Sequence, residues 1–312
     1  MALLEQKRLL LIKPETTYGT SANPGAADAL LCRSIEITPI QADTVNRDLI
    51  KNYLGNSEQY LTNERAEITF EVELAGSGTV GTAPRWGAAM RAAGFSQVIS
   101  ANTSVTYAPV SSGNESVTID FHNDGIRHRI TGARGTVSMN LEVSAVPTLS
   151  FTMTGLYSNP TDVTLPTPSY GDQAQPLPTS FTNTTNFSAL GFAGQMQSFS
   201  YEHSNEIVYR ELVGQSTGEV LVTNRGPQGS CVIEHPTIAQ QNFYTAARSN
   251  SSSKGDITFQ QGSTAGNIAT FTVKADIAQP AVSYDNGISM LTLPYIAVAT
   301  NAGNNEASLV LT

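Results

Sequence analysis

Residues 68–94 read ITFEVELAGSGTVGTAPRWGAAMRAAG, and this stretch indicates a protein built mainly of β-strands. In its first seven residues, apolar side chains alternate with Thr and Glu, at Ile68, Phe70, Val72 and Leu74. A period of two is typical of a strand with one buried face and one face in water, as in antiparallel sheets. A helix-like run follows, with Pro84 as its predicted first residue. The stretch therefore predicts a strand, a loop and a short helix.

The loop from Gly76 to Gly81 fits the pattern G-x-G-x-x-G, which raises the question of a dinucleotide site. In that fold the preceding strand is apolar on both faces, the helix starts within the glycines, and an acidic residue follows about 20 residues later. Here the strand alternates, Pro84 comes three residues after Gly81, and residues 96–105 contain no acid. We therefore interpret the glycines as a flexible strand-to-helix loop.

Composition and charge limit the possible functions. The chain has 312 residues, a formal net charge of −9 and only 14% charged residues, with many Thr, Ser, Asn, Gly and Pro. That length suggests about two domains of ~150 residues each, and the turn-rich composition is typical of all-β proteins. The negative charge disfavours sequence-independent binding of nucleic acid, because such binding depends on basic contacts to phosphates.

The cysteines and the first residues bear on the compartment. Cys32 and Cys231 are far apart in the sequence, and we expect both to be reduced, buried thiols, in keeping with synthesis in a cytoplasm. Residues 1–8 lack the order of basic and then apolar regions of a signal peptide. No apolar run approaches the ~20 residues that a membrane helix needs, so we expect no membrane partner.

An internal repeat is the most informative feature of the sequence. Residues 45–49 resemble residues 208–212, and their arginines, Arg47 and Arg210, lie 163 positions apart. Residues 68–71 align with residues 231–234 at the same spacing. Each half continues with a helix-like run and further strands; the two runs are residues 86–93 and 241–248. Short matches of this kind also arise by chance, but their common order and spacing favour a duplication.

The repeat predicts an N-terminal arm (residues 1–32), a first β domain (33–157), a linker rich in Pro, Thr and Ser (158–190) and a second β domain (191–312). Each β domain is predicted to be a sandwich or partly open barrel with one short flanking helix. Such sheets have edges, and lysine, which protects edges from other chains, is scarce. We therefore expect partner copies of the chain to cover them.

Strings across nearly the whole chain resemble those of the tail tube (major tail) proteins of long, non-contractile-tailed phages. In the first part of the chain they are Tyr18-Gly19-Thr20 and residues 70–78 (FEVELAGSG), 84–87 (PRWG), 91–95 (RAAGF) and 105–110 (VTYAPV). Further along they are residues 124–125 (DG), 132–138 (GARGTVS), 149–157 (LSFTMTGLY) and 302–306 (AGNNE). None of these strings is a catalytic motif.

The resemblance implies a β-sandwich with a flanking helix that assembles into rings, which stack into a hollow tube in the virion. Related contractile-tail tubes place six such domains in each ring, so a chain with two copies would close a pseudo-sixfold ring with three chains. The implied partners are other copies of the chain, the tape measure protein and DNA inside the lumen, and tail terminator and distal tail or baseplate proteins at the ends. The resemblance also implies that the chain is made in the host cytoplasm and that it has no cofactor.

Two groups of residues are candidates for roles in such an assembly. Carboxylates in or beside the predicted hairpins are candidates for an acidic lumen wall: Glu58, Glu64, Glu67 and Glu219. An aromatic residue near the start and a basic cluster are candidates for contacts between subunits: Tyr18, Arg127, Arg129 and Arg134. An ordinary solvated face is the alternative for each group.

Other chemistry lacks its required context. Residues 214–218 fit the hydrolase pattern G-x-S-x-G, but strands are predicted on both sides where a strand and a helix are needed. The four histidines show no i, i+4 pairing for zinc. We therefore predict no enzyme and no metal site. A surface- or carbohydrate-binding β-module of a phage fibre or adhesin is the alternative, and it would need exposed aromatic residues.

Overall fold

The computed structural model describes residues 3–312, which form mostly β-strands and two short helices. The first half contains β1 (Arg8–Pro14), a 3-10 turn (Ala26–Asp28), β2 (Ala29–Leu30), β3 (Ser34–Asn46), β4 (Gln59–Glu73), α1 (Gly87–Ala92), β5 (Phe95–Ser100), β6 (Ser104–Pro109), β7 (Val117–Asn123), β8 (Ile126–Glu142) and β9 (Thr148–Leu156). The mainly-β prediction is confirmed. Residues 1 and 2 of the predicted arm lie outside the described residues.

The rest of the chain contains a second series of strands around one helix. They are β10 (Thr161–Asp162), β11 (Thr184–Ala189), β12 (Met196–Glu202), β13 (Asn205–Arg210), β14 (Glu219–Arg225), β15 (Gln228–Glu234), α2 (Phe243–Ala247), β16 (Lys254–Gln261), β17 (Ala269–Ile277), β18 (Ala281–Asp285), β19 (Ile288–Ala297) and β20 (Ala307–Leu311).

Eight strands form what we call the main sheet, in the order β3–β4–β9–β8–β12–β15–β19–β18, with every neighbouring pair antiparallel. The first four belong to the first half of the chain and the last four to the second half. The two halves therefore meet side by side, where β8 pairs with β12. Antiparallel strands with one wet face are what the alternating sequence predicted.

The remaining strands form a second layer over the core. In it β1 pairs with β7, which pairs with the first part of β8, and β11 pairs with β16, which pairs with β17. β20 lies between β17 and β6, so this layer also joins the two halves. The core between the layers contains stacked aromatic rings, such as Phe70 on Phe151, whose centroids are 5.3 Å apart. Residues 8–14, which were assigned to the predicted N-terminal arm, thus form β1 of this second layer.

Both halves repeat the same pairing. Ile68 pairs with Met153 in the first half, and Cys231 pairs with Leu293 in the second. Each long hairpin also ends in an ion pair, with 2.9 Å between Arg47 and Glu58 and 3.1 Å between Arg210 and Glu219. The hairpins differ in one respect. β3 and β4 are each one continuous strand, although their register shifts twice between Thr38 and Asp43. In the second half the hairpin is divided: β12 and β15 belong to the main sheet, and β13 and β14 form a separate two-stranded sheet.

The two glycine-containing patterns lie in loops without the context that their chemistry requires. The loop at Gly76 follows β4, which has one buried and one exposed face. α1 begins only at Gly87, three residues later than predicted. Trp86 holds this loop in place, because its indole N–H donates to the carbonyl of Ala75 at 2.9 Å. Residues 214–218 lie between β13 and β14, which are paired strands, so the predicted hairpin turn is confirmed.

The predicted linker runs along the surface of the folded halves. Arg85 donates hydrogen bonds to the carbonyl of Gly171 and to Asp172. The backbone of Thr179 forms hydrogen bonds with Ser144 and Ala145, and β11 begins at Thr184, within the predicted linker range. Residues 163–183 contain no helix or strand, in keeping with their prolines.

Candidate assembly surface

The main sheet has one face on the core and one polar face, which consists of the side chains that alternate with the buried ones. On the polar face, hydroxyl groups such as those of Thr69 and Thr152 contact across strands, with their oxygens 3.3 Å apart. Alternation also places a set of carboxylates there: Glu36, Glu67, Glu71, Glu73, Glu142, Glu202, Glu234 and Asp285. The arginines at this face are Arg33, Arg65 and Arg134, so it is acidic overall.

The four predicted lumen carboxylates lie in different places. Glu67 lies on the polar face, between the buried Ala66 and Ile68. Glu58 and Glu219 lie at the ends of the two hairpins in their ion pairs, and Glu64 is exposed further along the first hairpin. A lumen role for all four stays a prediction. Sequence reasoning missed most polar-face carboxylates, although alternation with buried residues in β4 was a signal for Glu71 and Glu73.

Tyr18 and Arg134, predicted for contacts between subunits, lie against each other within one chain. The guanidinium carbon of Arg134 is 4.8 Å from the centre of the Tyr18 ring, and Arg134 also donates to the carbonyl of Val220 at 2.6 Å. The hydroxyl of Tyr18 accepts a hydrogen bond from the N–H of Val220 at 2.6 Å. The two residues thus connect the start of the chain to β14.

The other predicted arginines are also partly engaged. Arg129 forms a bidentate ion pair with the buried Asp120, with both N–O distances at 2.7 Å, and this hydrogen bonding raises the pKa of the guanidinium. A third bond, of 3.0 Å, joins Arg129 to Asn23. Arg127 has a buried Nε atom without a hydrogen-bond partner among the described residues. A role of these arginines between subunits stays a prediction.

The two outer strands of the main sheet, β3 and β18, each have one open edge. β3 pairs only with β4, and β18 pairs only with β19, among the strands of residues 3–312. All five residues of β18 are exposed, and no residue of β3 is buried. The side chains of Tyr284 and Val282 are 77% and 45% exposed, which is unusual for apolar residues in a strand that faces a core.

The internal junction between β8 and β12 shows what such edges look like when they are paired. Met139 lies opposite Tyr201 and Leu141 opposite Phe199, and these four side chains are buried. The N–H of His203 donates to the carbonyl of Val137 at 2.9 Å, and that of Val143 donates to Gln197 at 3.0 Å. The junction is thus a regular antiparallel ladder with a dry inner side.

The hairpin ends form a second exposed apolar surface. In the connection between β3 and β4, Ile50 and Leu54 are fully exposed, and Leu49 and Tyr53 are more than half exposed. At the equivalent end of the β13–β14 hairpin, Val213 is fully exposed and Leu212 is half exposed. Clustered exposed apolar residues mark surfaces that other molecules cover.

Three observations concern metal binding and reactive side chains. Residues 3–312 contain no group of three or more His, Cys, Asp or Glu side chains that could hold a metal ion. His235 is held between Ser289, at 3.1 Å, and Tyr244, at 3.0 Å. Cys231 is buried as predicted, whereas Cys32 is only partly buried, and burial raises the pKa of both thiols. Neither thiol is therefore an activated nucleophile.

Two further expectations concern membranes and exposed aromatic residues. Within the described part of the chain, no helix has the length and apolar character needed to cross a bilayer. The single tryptophan, Trp86, is buried, so it does not contribute to a sugar-binding surface of the fibre or adhesin type.

Comparison with known proteins agrees with the resemblance seen in the sequence. The chain matches the family model described as phage tail tube protein over residues 5–297. No curated protein matches the sequence significantly. The match covers nearly the whole chain, and the family is one of structural proteins that self-associate in the phage tail of the virion, not a family of enzymes. The chain belongs to the phage tail tube protein family.

Proposed function

We propose that this chain is the structural subunit of the tube in a long, non-contractile phage tail of the siphophage type. Copies of the chain form rings, the rings stack into a hollow tube, and viral DNA passes through the lumen into the host. The chain is made in the host cytoplasm and enters the virion with the tail. It acts by assembly alone and requires no cofactor.

One observation carries this proposal: the main sheet contains two four-stranded units side by side, joined at β8–β12, with an open edge at each end. An open edge presents a row of unpaired N–H and C=O groups, which can pair with a strand of another chain. A head-to-tail contact that repeats the internal junction leaves no open edge if its rotation closes a ring. The ring is then a closed β-barrel, in which every strand has two neighbours.

Three chains per ring follow if six units close the barrel, as the family resemblance implies. The division of the chain into two units, at residues 33–157 and 191–312 with a connecting segment at 158–190, is part of this proposal. A ring of three chains would have pseudo-sixfold symmetry, because its internal and intermolecular junctions alternate.

The polar face of the main sheet is proposed to line the lumen. Its carboxylates and hydroxyl groups offer no array of basic contacts to phosphates, so DNA would remain hydrated and mobile. Glu67 lies on this face. Glu58, Glu64 and Glu219 would lie where the hairpins meet the lumen. DNA and the tape measure protein are the proposed occupants, contacted without specificity.

The exposed apolar hairpin ends are proposed to contact the next ring. Each Å² of apolar surface buried between rings would contribute about 25 cal/mol of favourable free energy to this stacking. Arg127, Arg129, Arg134 and Tyr18 remain proposed contributors to contacts between subunits. At the two ends of the tube, the same surfaces would meet the tail terminator and the distal tail or baseplate proteins.

Electron microscopy of the purified chain in negative stain tests the proposal. We expect rings of three chains, or hollow rods, and we expect the number of both to increase with protein concentration. Discrete particles without a central hole, at every concentration and after addition of tail ends as seeds, would contradict it. Such particles would favour the alternative, a binding module of a fibre or adhesin.

A further inference from the structure

The internal junction of the chain provides a template for the contact between chains, and this inference rests on the function proposed above. Val137 pairs with Phe151, which pairs with Phe70. In the second half Val282 pairs with Leu291, which pairs with Ile233. Since Phe70 and Ile233 are 163 positions apart, as in the sequence repeat, β18 is the counterpart of the end of β8.

The same reasoning identifies β3 as the counterpart of β12. Ile37 pairs with Ile68, and Phe199 pairs with Cys231. Ile68 and Cys231 are again equivalent, so Ile37 corresponds to Phe199 and Pro39 to Tyr201. One open edge of the chain is therefore the counterpart of β8 and the other the counterpart of β12.

The backbone groups of both edges point in the required direction. Leu74 donates to the carbonyl of Pro147 at 2.9 Å, so even-numbered residues of β4 bond to β9 and odd-numbered ones to β3. Up to Thr38, the backbone N–H and C=O groups of the even-numbered residues of β3 therefore bond to β4. Those of the odd-numbered residues point away from β4, towards the open edge. In β18, Asp285 pairs with Ile288 across a two-residue turn, so the backbone groups of Asp285 and Ser283 bond to β19. The backbone N–H and C=O groups of Val282 and Tyr284 therefore point away from β19, towards the open edge.

We propose that β18 of one copy of the chain pairs antiparallel with β3 of the next copy, in the register of the β8–β12 junction. In this seam Tyr284 lies opposite Pro39 and Asn286 opposite Ile37, as Met139 lies opposite Tyr201 and Leu141 opposite Phe199 within the chain. Pro39 lacks an N–H group, so the seam has one hydrogen bond fewer at this position. Proline also occurs at bulges, and the register of β3 against β4 shifts directly after Thr38.

Paired cysteines test the register of the seam. Thr38 and Asp285 are predicted to be directly opposite each other in a pair without mutual hydrogen bonds, where Cα atoms lie about 4.5 Å apart and a disulfide fits. Their counterparts are Ser200 and Asn140, which lie opposite each other within one chain. The test chain carries Thr38→Cys and Asp285→Cys, and the control carries Ser200→Cys and Asn140→Cys. Both also carry Cys32→Ser and Cys231→Ala.

After oxidation of assembled protein, we expect Thr38→Cys with Asp285→Cys to give covalent dimers and trimers on a non-reducing gel. The series should end at a closed trimer. The control pair should form its disulfide within single chains, assembled or not. A chain with Thr38→Cys and Ser283→Cys, two residues out of register, should remain largely uncrosslinked. A second in-register pair, Pro39→Cys with Tyr284→Cys, guards against a local effect at position 285, because the counterparts Tyr201 and Met139 lie opposite each other within one chain.

The outcomes separate this inference from the proposed function. If rings or rods form but both in-register pairs fail to crosslink while the control pair succeeds, the seam is wrong and the tube function stands. Preferential crosslinking of the out-of-register pair likewise overturns the register. If the wild-type chain forms no ring or rod at any concentration, both the seam and the proposed function fail.

Discussion

The β8–β12 junction and the two outer edges of the main sheet are built from equivalent strands, yet their environments differ. At the junction Val137 is 3% exposed, whereas its counterpart Val282 at the edge of β18 is 45% exposed. Met139 is 4% exposed, and its counterpart Tyr284 is 77% exposed. The same strand geometry is thus stabilised by a neighbour in one place and left incomplete in the other. The difference is the one that the proposed seam predicts, in which each outer edge forms half of an interface.

A charge on the edge of β18 should have the largest effect. Val282→Lys places an ammonium group where the seam needs a buried apolar side chain, and an edge lysine is the usual protection against strand pairing. We expect rings and rods to disappear while the melting temperature of the single chain stays within about 2 °C of the wild type, because Val282 has no β-strand partner beyond β19. Size-exclusion chromatography and negative-stain microscopy measure assembly.

Val282→Thr is the matched control for that experiment, because it keeps the β-branched shape without a charge. It should still form rods. Rods of normal length from the Val282→Lys chain would mean that β18 is not part of the seam.

Changes at the hairpin ends should separate contacts along the tube from contacts around the ring. In the double variant Ile50→Ser with Leu54→Ser, two fully exposed apolar side chains become polar without any loss of packing in the single chain. We expect single rings to persist while rods become short or absent, as measured by particle length in micrographs. If this variant instead loses its rings, the hairpin ends belong to the seam and the two contacts are not separate.

Truncation of a core side chain beside the internal junction should destabilise the chain itself. Phe199 is 1% exposed, and its ring centre is 5.0 Å from that of Phe259 and 5.6 Å from that of Phe271. Phe199→Ala should lower the free energy of unfolding by about 3–5 kcal/mol, because it leaves a cavity in the core. Urea unfolding measures this, with Ile37→Ala as the comparison.

Ile37 is the counterpart of Phe199 at the open edge, where the structure leaves it only partly buried. Its truncation should cost the single chain clearly less than that of Phe199. Equal losses would show that the outer edge is already complete in one chain.

A buried histidine near the junction should make stability depend on pH. His203 is fully buried beside Tyr201, whose hydroxyl lies 2.8 Å from its Nδ1 atom. Burial, and to a smaller extent the charge of Arg225, lowers its pKa to about 3. An unfolded histidine titrates near pH 6.5, so the unfolded chain binds the proton first as the pH falls. The contribution of neutral His203 is complete above that pH and is lost progressively towards pH 3.

Between pH 7 and pH 5 the wild type should therefore lose on the order of 2 kcal/mol through this residue, at about 1.4 kcal/mol for each pH unit below 6.5. His203→Gln should lose less over the same range. Thermal unfolding at both pH values measures the difference, and identical pH dependence in the two chains would refute the assignment to His203.

The sequence predicts the strands and the repeat well, since both depend on local alternation and on recurring residues. Phe70 and Phe151, predicted in alternating strands, are stacked in the core, and Arg47 and Arg210 occupy equivalent hairpin ends. The interruption of the second hairpin was not predicted. It coincides with Ser204, which has a positive φ of 50°, and with Pro227, which cannot donate to a ladder.

The candidate site was harder to predict, because it depends on which strands become neighbours. The pairing of β8 with β12 joins residues about 60 positions apart, such as Glu142 and Ser198, and no local pattern specifies it. One signal for the open edge was present, since Asn286-Gly287 between alternating residues is a strong hairpin pattern. Tyr18 and Arg134, which were predicted for contacts between subunits, contact each other within the described chain, and a role between subunits stays a prediction.

A cryo-electron microscopy reconstruction of the assembled tube would test the central claim most directly. We expect the ring to contain three chains, with β18 of each chain next to β3 of the next and Tyr284 opposite Pro39. The ladder at this seam should superpose on the β8–β12 ladder. A ring in which β3 and β18 remain unpaired, or pair with other strands, would contradict the account.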